Sequence, residues 1–281
     1  MLACGGGPLT MAVLLLLSVG CASTPSSRFH AAALAADLEP LALQASGYRL
    51  QVFHNSQSAG SFLHARGALH ARGALHIYFG GDGTPWIDNA FVARDPTARK
   101  PVVLRLLQMD QQPAVYLGRP CYHRIEHAEH CSSNLWTHER YSETVVASMA
   151  MATSELIAAA EAANVTLIGF SGGGVLALLV AQRLTGVTTV ITLAANLDTH
   201  AWTRHHGVRP LTGSINPADI SNWRADLRQV HYIGALDSTV PPESRAEFRA
   251  RVPQAVFITL PDVDHNCCWH DHWQDILKRM D

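Results

Sequence analysis

The chain has 281 residues, 48% of them hydrophobic, and a formal net charge of −2 at neutral pH. This length is enough for one large α/β domain, and the hydrophobic content excludes a disordered chain. A charge so close to zero provides no basic field, which argues against nucleic acid as the main partner.

The N-terminus carries a short apolar run at residues 9–19, too short to span a bilayer comfortably. It ends close to Cys21, which small polar residues follow. The segment, residues 1–21, resembles a bacterial lipoprotein signal, in which the cysteine is lipidated and becomes the mature N-terminus. The resemblance implies an exported protein of the bacterial cell envelope, held at the membrane by a lipid on Cys21. An ordinary cleaved signal, giving a secreted or periplasmic protein, and an uncleaved anchor are the alternatives.

Residues 22–45 are rich in Ala and Ser, and we expect a tether that leads into a short helix near residues 31–36. Residues 46–281 are then the α/β domain. Alternation over residues 48–54 predicts its first strand. A six-residue sequence, Ala-Arg-Gly-Ala-Leu-His, occurs twice in tandem over residues 65–76, which is too short for a repeat architecture.

A glycine-rich loop with the sequence Gly-Gly-Asp-Gly-Thr-Pro-Trp, residues 80–86, follows a strand predicted at residues 75–79. Small residues after an early strand let backbone N–H groups approach a substrate oxygen. The loop therefore suits an oxyanion hole, completed by Gly81 or Asp82. A plain turn is the alternative, because Asp-Gly and Thr-Pro are turn dipeptides.

A segment rich in His and Cys follows a helix predicted at residues 98–109 and a strand at 114–117. Its spacings match no standard zinc pattern, so we expect a loop insertion near residues 120–140 and no metal. A disulfide between Cys121 and Cys131 is predicted, because both lie in one polar segment and an oxidising compartment lets them pair.

The centre of the chain carries Gly169-Phe170-Ser171-Gly172-Gly173 between a predicted strand at 165–168 and a helix at 175–184. A helix predicted at residues 139–163 precedes it. Glycines are required here because the serine sits on a strained, tight turn where a neighbouring Cβ would collide. The turn places Ser171 at a helix N-terminus, which favours developing negative charge. The motif is typical of a nucleophilic serine; a glycine-rich turn with a bystander serine is the alternative.

Further strands are predicted at residues 187–193, 229–234 and 255–260, and a closing helix at 270–280. Residues 197–226 are loop-like and are a second candidate for a lid or pocket wall. Strands that alternate with helices predict a mainly parallel central sheet with helices on both faces.

Ser171, Asp237 and His265 each follow a predicted strand, and such strand ends line one crevice. Their order, with Gly-x-x-Asp-x-x-Val-Pro at residues 234–241 and Asp-His at 264–265, resembles the α/β-hydrolase fold family. The chain is also similar to bacterial lipoprotein hydrolases with a Gly-Asp-Gly-x-Pro-Trp loop.

The resemblance implies a serine hydrolase that cleaves a small-molecule or lipid acyl ester without a cofactor. His265 is expected to take the proton of Ser171, with Asp237 orienting His265 and the N–H of Gly172 holding the oxyanion. Asp198 is an alternative acid. A thioester or a peptide bond fits the same residues, and the oligomeric state stays open.

Two rival functions use the same chain differently. One is a surface lipoprotein that kept the fold for binding without catalysis. The other is a metal protein, whose ligands would be His265, Cys267, Cys268, His270 and His272. The adjacent Cys267 and Cys268 fit either a vicinal disulfide or two thiols.

Overall fold

The computed structural model describes residues 23–58, 73–124 and 130–280. Within them an eight-stranded sheet has the order β1-β2-β6-β3-β7-β8-β9-β10. The strands are β1 Glu39–Ala45, β2 Tyr48–His54, β3 Ala74–Phe79, β4 Trp86–Ile87, β5 Phe91–Val92, β6 Ala114–Leu117, β7 Asn164–Phe170, β8 Val187–Leu193, β9 Arg228–Gly234 and β10 Val256–Leu260. The α-helices are α1 Pro25–Ala35, α2 Val102–Gln108, α3 Glu143–Ala160, α4 Gly172–Ala181, α5 Thr199–His205, α6 Ala246–Arg251 and α7 Trp269–Lys278.

Pairing from β6 through β3 and on to β10 is parallel, whereas β2 pairs antiparallel with both β1 and β6. Strands β4 and β5 form a separate antiparallel hairpin. The predicted mainly parallel sheet is confirmed.

Helices cover both faces of the sheet, and each face has its own apolar core. Along β3, Leu75, Ile77 and Phe79 face the core that contains α3 and α4, whereas Tyr78 faces the core of α1, α2 and α7. This alternation follows from the two-residue period of a strand. Helix α4 is buried along its whole length, which explains why it is apolar all round.

Several predicted elements differ from the observed ones at their ends, for local reasons. The helix predicted at residues 139–163 begins at Glu143, because the Ser142 side chain caps it by accepting from the N–H of Val145. It ends at Ala160, since Glu161 adopts the left-handed conformation. The segment 197–226, predicted as a loop, contains α5.

Residues 25–45 are folded, in contrast to the expected tether. Helix α1 starts at Pro25, and Ser26 donates from its N–H and its Oγ to Asp95 Oδ2 at 2.9 and 2.8 Å. Phe29 packs its ring against those of Phe53 and Tyr116. Strand β1 then pairs with β2 along its whole length. The contacts of Ser26 and Phe29 span large sequence separations, so local composition did not reveal them.

Some sequence predictions fall on residues outside the described ranges. Cys21 and the apolar run before it are among them, as is most of the tandem repeat. In the described part of the chain, no helix combines the length and the apolar character needed to cross a bilayer.

Candidate functional site

Ser171 occupies the turn between β7 and α4. Its φ of 52° is a left-handed value that non-glycine residues rarely adopt, and its N–H donates to the carbonyl of Leu193 at 2.8 Å. The flanking glycines are sterically required: a Cβ at Gly169 would lie 2.4 Å from the Gly173 carbonyl oxygen, and one at Gly173 would lie 2.2 Å from that of Phe79. The sequence therefore forms the strained turn that the motif predicts.

A chain of hydrogen bonds joins Ser171, His265 and Asp237. His265 Nε2 lies 3.1 Å from Ser171 Oγ, and its Nδ1 lies 3.0 Å from Asp237 Oδ2. The Asp237 side chain is fully buried, and its second oxygen accepts the N–H groups of Thr239 and Val240, both at 2.9 Å. One carboxylate oxygen is thus occupied by the turn and the other faces the imidazole.

Two loops that leave adjacent strands hold this arrangement. Asp237 follows β9 and His265 follows β10, and the loops are joined by the N–H of Leu236, which donates to the Val263 carbonyl at 3.0 Å. The ring of His265 packs against Phe170, with 5.2 Å between ring centroids. The three side chains predicted from sequence therefore meet at the carboxyl edge of the sheet.

Asp198, the alternative acid, has another role. It caps α5, and its Oδ1 accepts the N–H groups of His200 and Ala201 at 3.0 and 3.1 Å. The amide of Asn216 donates to the same oxygen at 3.1 Å. The histidine at the site is instead paired with Asp237.

The glycine-rich loop lies directly against Ser171. A Cβ at Gly81 would sit 3.4 Å from Ser171 Cβ, so the loop backbone approaches the serine closely. Gly172 is the first residue of α4, where N–H groups have no acceptor inside the helix. Gly172 follows Ser171 in the chain and Gly81 packs against it, so the backbones of both glycines lie next to the serine.

Beneath this loop lies a charged cluster that the sequence analysis missed. The carboxylate of Asp82 is turned inward, 2.8 Å from Arg119 and 3.0 Å from Arg140, and accepts from the Tyr141 hydroxyl at 2.7 Å. Arg119 also donates to the Gly80 carbonyl at 3.2 Å. The sequence signal was weak, because these partners lie more than 35 positions away from Asp82.

The electrostatics of the cluster follow from burial and pairing. Burial raises the pKa of Asp82, but the two guanidinium groups and the Tyr141 hydroxyl outweigh it and lower that pKa to about 2. Burial also raises the pKa of Tyr122 to about 12. Asp82 is therefore an anion at any ordinary pH.

A cleft of about 1500 Å³ opens above Ser171. Its lining includes Trp86, Asn89 and Ala90 of the hairpin β4–β5, residues 137–140 and residues 207–213. The two predicted insertions, near residues 120–140 and 197–226, both contribute to it. Exposed cations at Arg99 and Arg209 also line the cleft.

The cysteines in the described residues are paired. Cys121 and Cys131 form the predicted disulfide, with an S–S distance of 2.03 Å. Cys267 and Cys268 form a vicinal disulfide, which resolves the alternative left open by the sequence. No group of three or more His, Cys, Asp or Glu side chains suited to a metal occurs in the described parts of the chain.

Neither a protein-family model nor a curated protein sequence matches the chain. Solved structures do match in shape. The esterase Pf2001 of Pyrococcus furiosus superposes with a TM-score of 0.57 at 12% identity, covering 86% of this chain and 90% of that one. XC6422 of Xanthomonas campestris, an α/β serine hydrolase without a lid, gives 0.53 at 14% identity, covering 86% and 94%. An esterase/lipase from an uncultured bacterium gives 0.55 at 14% identity, covering 92% and 90%. The chain therefore has the α/β-hydrolase fold.

Proposed function

We propose that the protein is a serine hydrolase that cleaves an acyl ester through a covalent acyl-enzyme. The observation that carries the proposal is the hydrogen-bond chain Ser171–His265–Asp237, which lies at the base of an open cleft. The solved structures similar in fold include proteins described as esterases, which supports the same conclusion.

His265 takes the proton from Ser171 Oγ as that oxygen attacks the acyl carbonyl. Asp237 keeps the imidazole in the tautomer with its proton on Nδ1 and stabilises the imidazolium that forms. The oxyanion is held by the N–H of Gly172 and a second N–H from Gly81 or Asp82. His265 then protonates the leaving alcohol and activates the water that releases the acid.

The cleft favours a bulky ester over a very small one. Its volume of about 1500 Å³ exceeds the roughly 300–1000 Å³ of most small-molecule pockets. Apolar side chains, Trp86, Val103 and Leu211 among them, line it and suit an acyl chain.

The proposal is tested by hydrolysis of p-nitrophenyl esters from acetate to palmitate. Ser171→Ala should lower kcat by at least about 10⁴-fold. Ser132→Ala, at an exposed serine that caps a short 3₁₀ turn, is the matched control and should keep its activity. A serine-directed phosphonate should label the unmodified protein and fail to label Ser171→Ala. An inert protein that no phosphonate labels would refute the proposal and favour a binding lipoprotein.

We also propose that Cys21 is lipidated and holds the domain at a membrane of the cell envelope. The apolar run before Cys21 and the small residues after it support this. Incorporation of labelled palmitate in cells, lost in Cys21→Ser, is the expected result. Equal labelling of both proteins would contradict it.

A further inference from the structure

The hairpin β4–β5 exposes apolar side chains at the rim of the cleft. Phe91 is 70% exposed, and Trp86 and Val92 are each 40% exposed. Asp88 and Asn89 form the turn, with φ values of 50° and 54° that these residue types tolerate. Trp86 pairs with Val92 and Ile87 with Phe91, so both faces of this short hairpin carry exposed apolar side chains. Several such side chains on one short element mark an interaction surface more often than isolated exposed residues do.

Hydrogen bonds hold the base of the hairpin, so the hairpin has a defined position on the domain. The N–H of Ala93 donates to the Pro85 carbonyl at 2.9 Å, and the indole of Trp136 donates to the Ala93 carbonyl at 3.0 Å. The N–H of Thr84 donates to the Pro96 carbonyl at 2.8 Å. These bonds tie both ends of the hairpin to the body of the domain.

Exposed cations flank the hairpin in the sequence and occur on the helix that is bonded to it. Arg94 follows it directly, Arg99 and Lys100 come a few residues later, and Arg28 lies on the first turns of α1. Exposed apolar side chains close to basic ones match the surface of a bilayer that contains anionic lipid.

The start of α1 is bound to the same region. Ser26 bonds to Asp95, three residues past β5, at 2.8 and 2.9 Å. Thr24 caps this helix and lies only three residues after Cys21, a stretch that spans at most about 11 Å. A lipid on Cys21 would therefore bring the hairpin side of the domain to the bilayer.

We propose that the hairpin inserts Trp86, Phe91 and Val92 into the interfacial region of a bilayer that contains anionic lipid. Trp86 also lines the cleft, together with Asn89 and Ala90. The cleft then opens onto the membrane, and an acyl ester moves from the bilayer to Ser171 without crossing bulk water. This last step rests on the proposed hydrolase function, whereas the membrane contact does not.

Tryptophan quenching tests the contact itself. The full-length chain is reconstituted into phosphatidylcholine vesicles with about 30% phosphatidylglycerol, in which part of the lipid is brominated in its acyl chains. We expect strong quenching in the unmodified protein, most of it lost in Trp86→Phe and retained in Trp202→Phe, the matched control, which also lines the cleft but lies on α5. Equal quenching in Trp86→Phe and the unmodified protein would overturn the proposal. Quenching of the unmodified protein that is equally strong in vesicles without phosphatidylglycerol would also overturn it.

Hydrolysis tests the consequence. Phe91→Asp should lower the hydrolysis of a long-chain ester embedded in these vesicles by about tenfold or more. It should leave that of soluble p-nitrophenyl acetate within about twofold, since Phe91 is surface-exposed. Val256→Asp is the control, at a 49% exposed side chain where the edge strand β10 begins, at the end of the strand opposite the carboxyl edge that holds Ser171. Equal losses on both substrates would overturn membrane delivery. If the unmodified protein hydrolyses neither ester, the proposed function fails, and the quenching result still decides the contact.

Discussion

Asp237 and Asp82 are two carboxylates near Ser171 with different surroundings. Asp237 receives two backbone N–H groups on one oxygen and an imidazole on the other. Asp82 lies between two guanidinium groups and a tyrosine hydroxyl. The first faces an imidazole, which has a nitrogen that can accept a proton, whereas the second faces guanidinium charges that are permanent. Neighbours, more than residue type, separate a carboxylate suited to orienting an imidazole from one suited to holding a loop.

The Asp82 cluster fixes the backbone of the glycine-rich loop from below. Arg119 donates to the Gly80 carbonyl, and the Tyr122 hydroxyl donates to the Asp82 carbonyl at 2.9 Å. The C=O and the following N–H of a trans peptide point in opposite directions, so the bond to the Gly80 carbonyl turns the N–H of Gly81 away from Arg119. Such donors stabilise an oxyanion well because they need no reorganisation during the reaction.

The largest expected effect comes from Asp237→Asn. The amide preserves the shape of the side chain but favours the wrong tautomer of His265, so kcat should fall by about 10³–10⁴-fold. Steady-state kinetics on a p-nitrophenyl ester measure this, with circular dichroism to confirm the fold. A loss below about tenfold would remove Asp237 from the proposed mechanism.

The main expected effect of Asp82→Asn is a loss of stability. It leaves the buried charges of Arg119 and Arg140 without their partner, and we expect a loss of about 3–5 kcal/mol in the free energy of unfolding. Denaturant melts measure it. Glu143→Gln is the matched control: it breaks the exposed pair with Arg183 and should cost at most about 1 kcal/mol. Similar losses in the two variants would show that the cluster contributes no more than a surface ion pair.

Acid should reveal how strongly the Asp82 carboxylate is paired in the folded protein. The pKa of Asp82 is lowered from 3.8 to about 2 on folding, so its stabilising contribution is complete above about pH 4 and is lost as the pH falls toward 2. That contribution is about 2 kcal/mol. The unmodified protein should lose this amount relative to Asp82→Asn between these pH values, as measured by urea melts at each pH. Parallel curves for the two proteins would contradict the assignment.

Asp198 should give the smallest effect. Asp198→Asn keeps a good helix cap and should leave kcat within about threefold of the unmodified value. Asp198→Ala should lower the free energy of unfolding by about 1 kcal/mol through loss of the cap on α5. The same kinetic and denaturant measurements apply. A large loss of kcat in Asp198→Asn would make it the acid in place of Asp237.

The residues around Ser171 were predictable because their signals are local. The Gly-x-Ser-x-Gly motif occupies five consecutive residues directly after an apolar strand pattern. Asp237 and His265 each follow an apolar strand pattern as well. The pair Cys121 and Cys131 was also close in sequence.

Long-range polar contacts were not predictable in this way. In the sequence, Arg119 and Arg140 resemble ordinary surface charges. Only the folded structure places them next to Asp82. Ser26 likewise gave no sign of its bond to Asp95, 69 residues away. The hairpin β4–β5 could have been predicted from the sequence, because Asp88 and Asn89 lie between the apolar pairs Trp86-Ile87 and Phe91-Val92. Hairpin turns favour Asp and Asn.

The bond between Ser26 and Asp95 also sets where the protein can be shortened. A version cut at residue 46, the boundary suggested by composition, would remove α1 and β1 and uncover the aromatic rings that Phe29 covers. A cut just before Thr24 keeps the capped helix whole. The folded domain therefore reaches back to Thr24, and shortened versions of the protein should keep every residue from that point on.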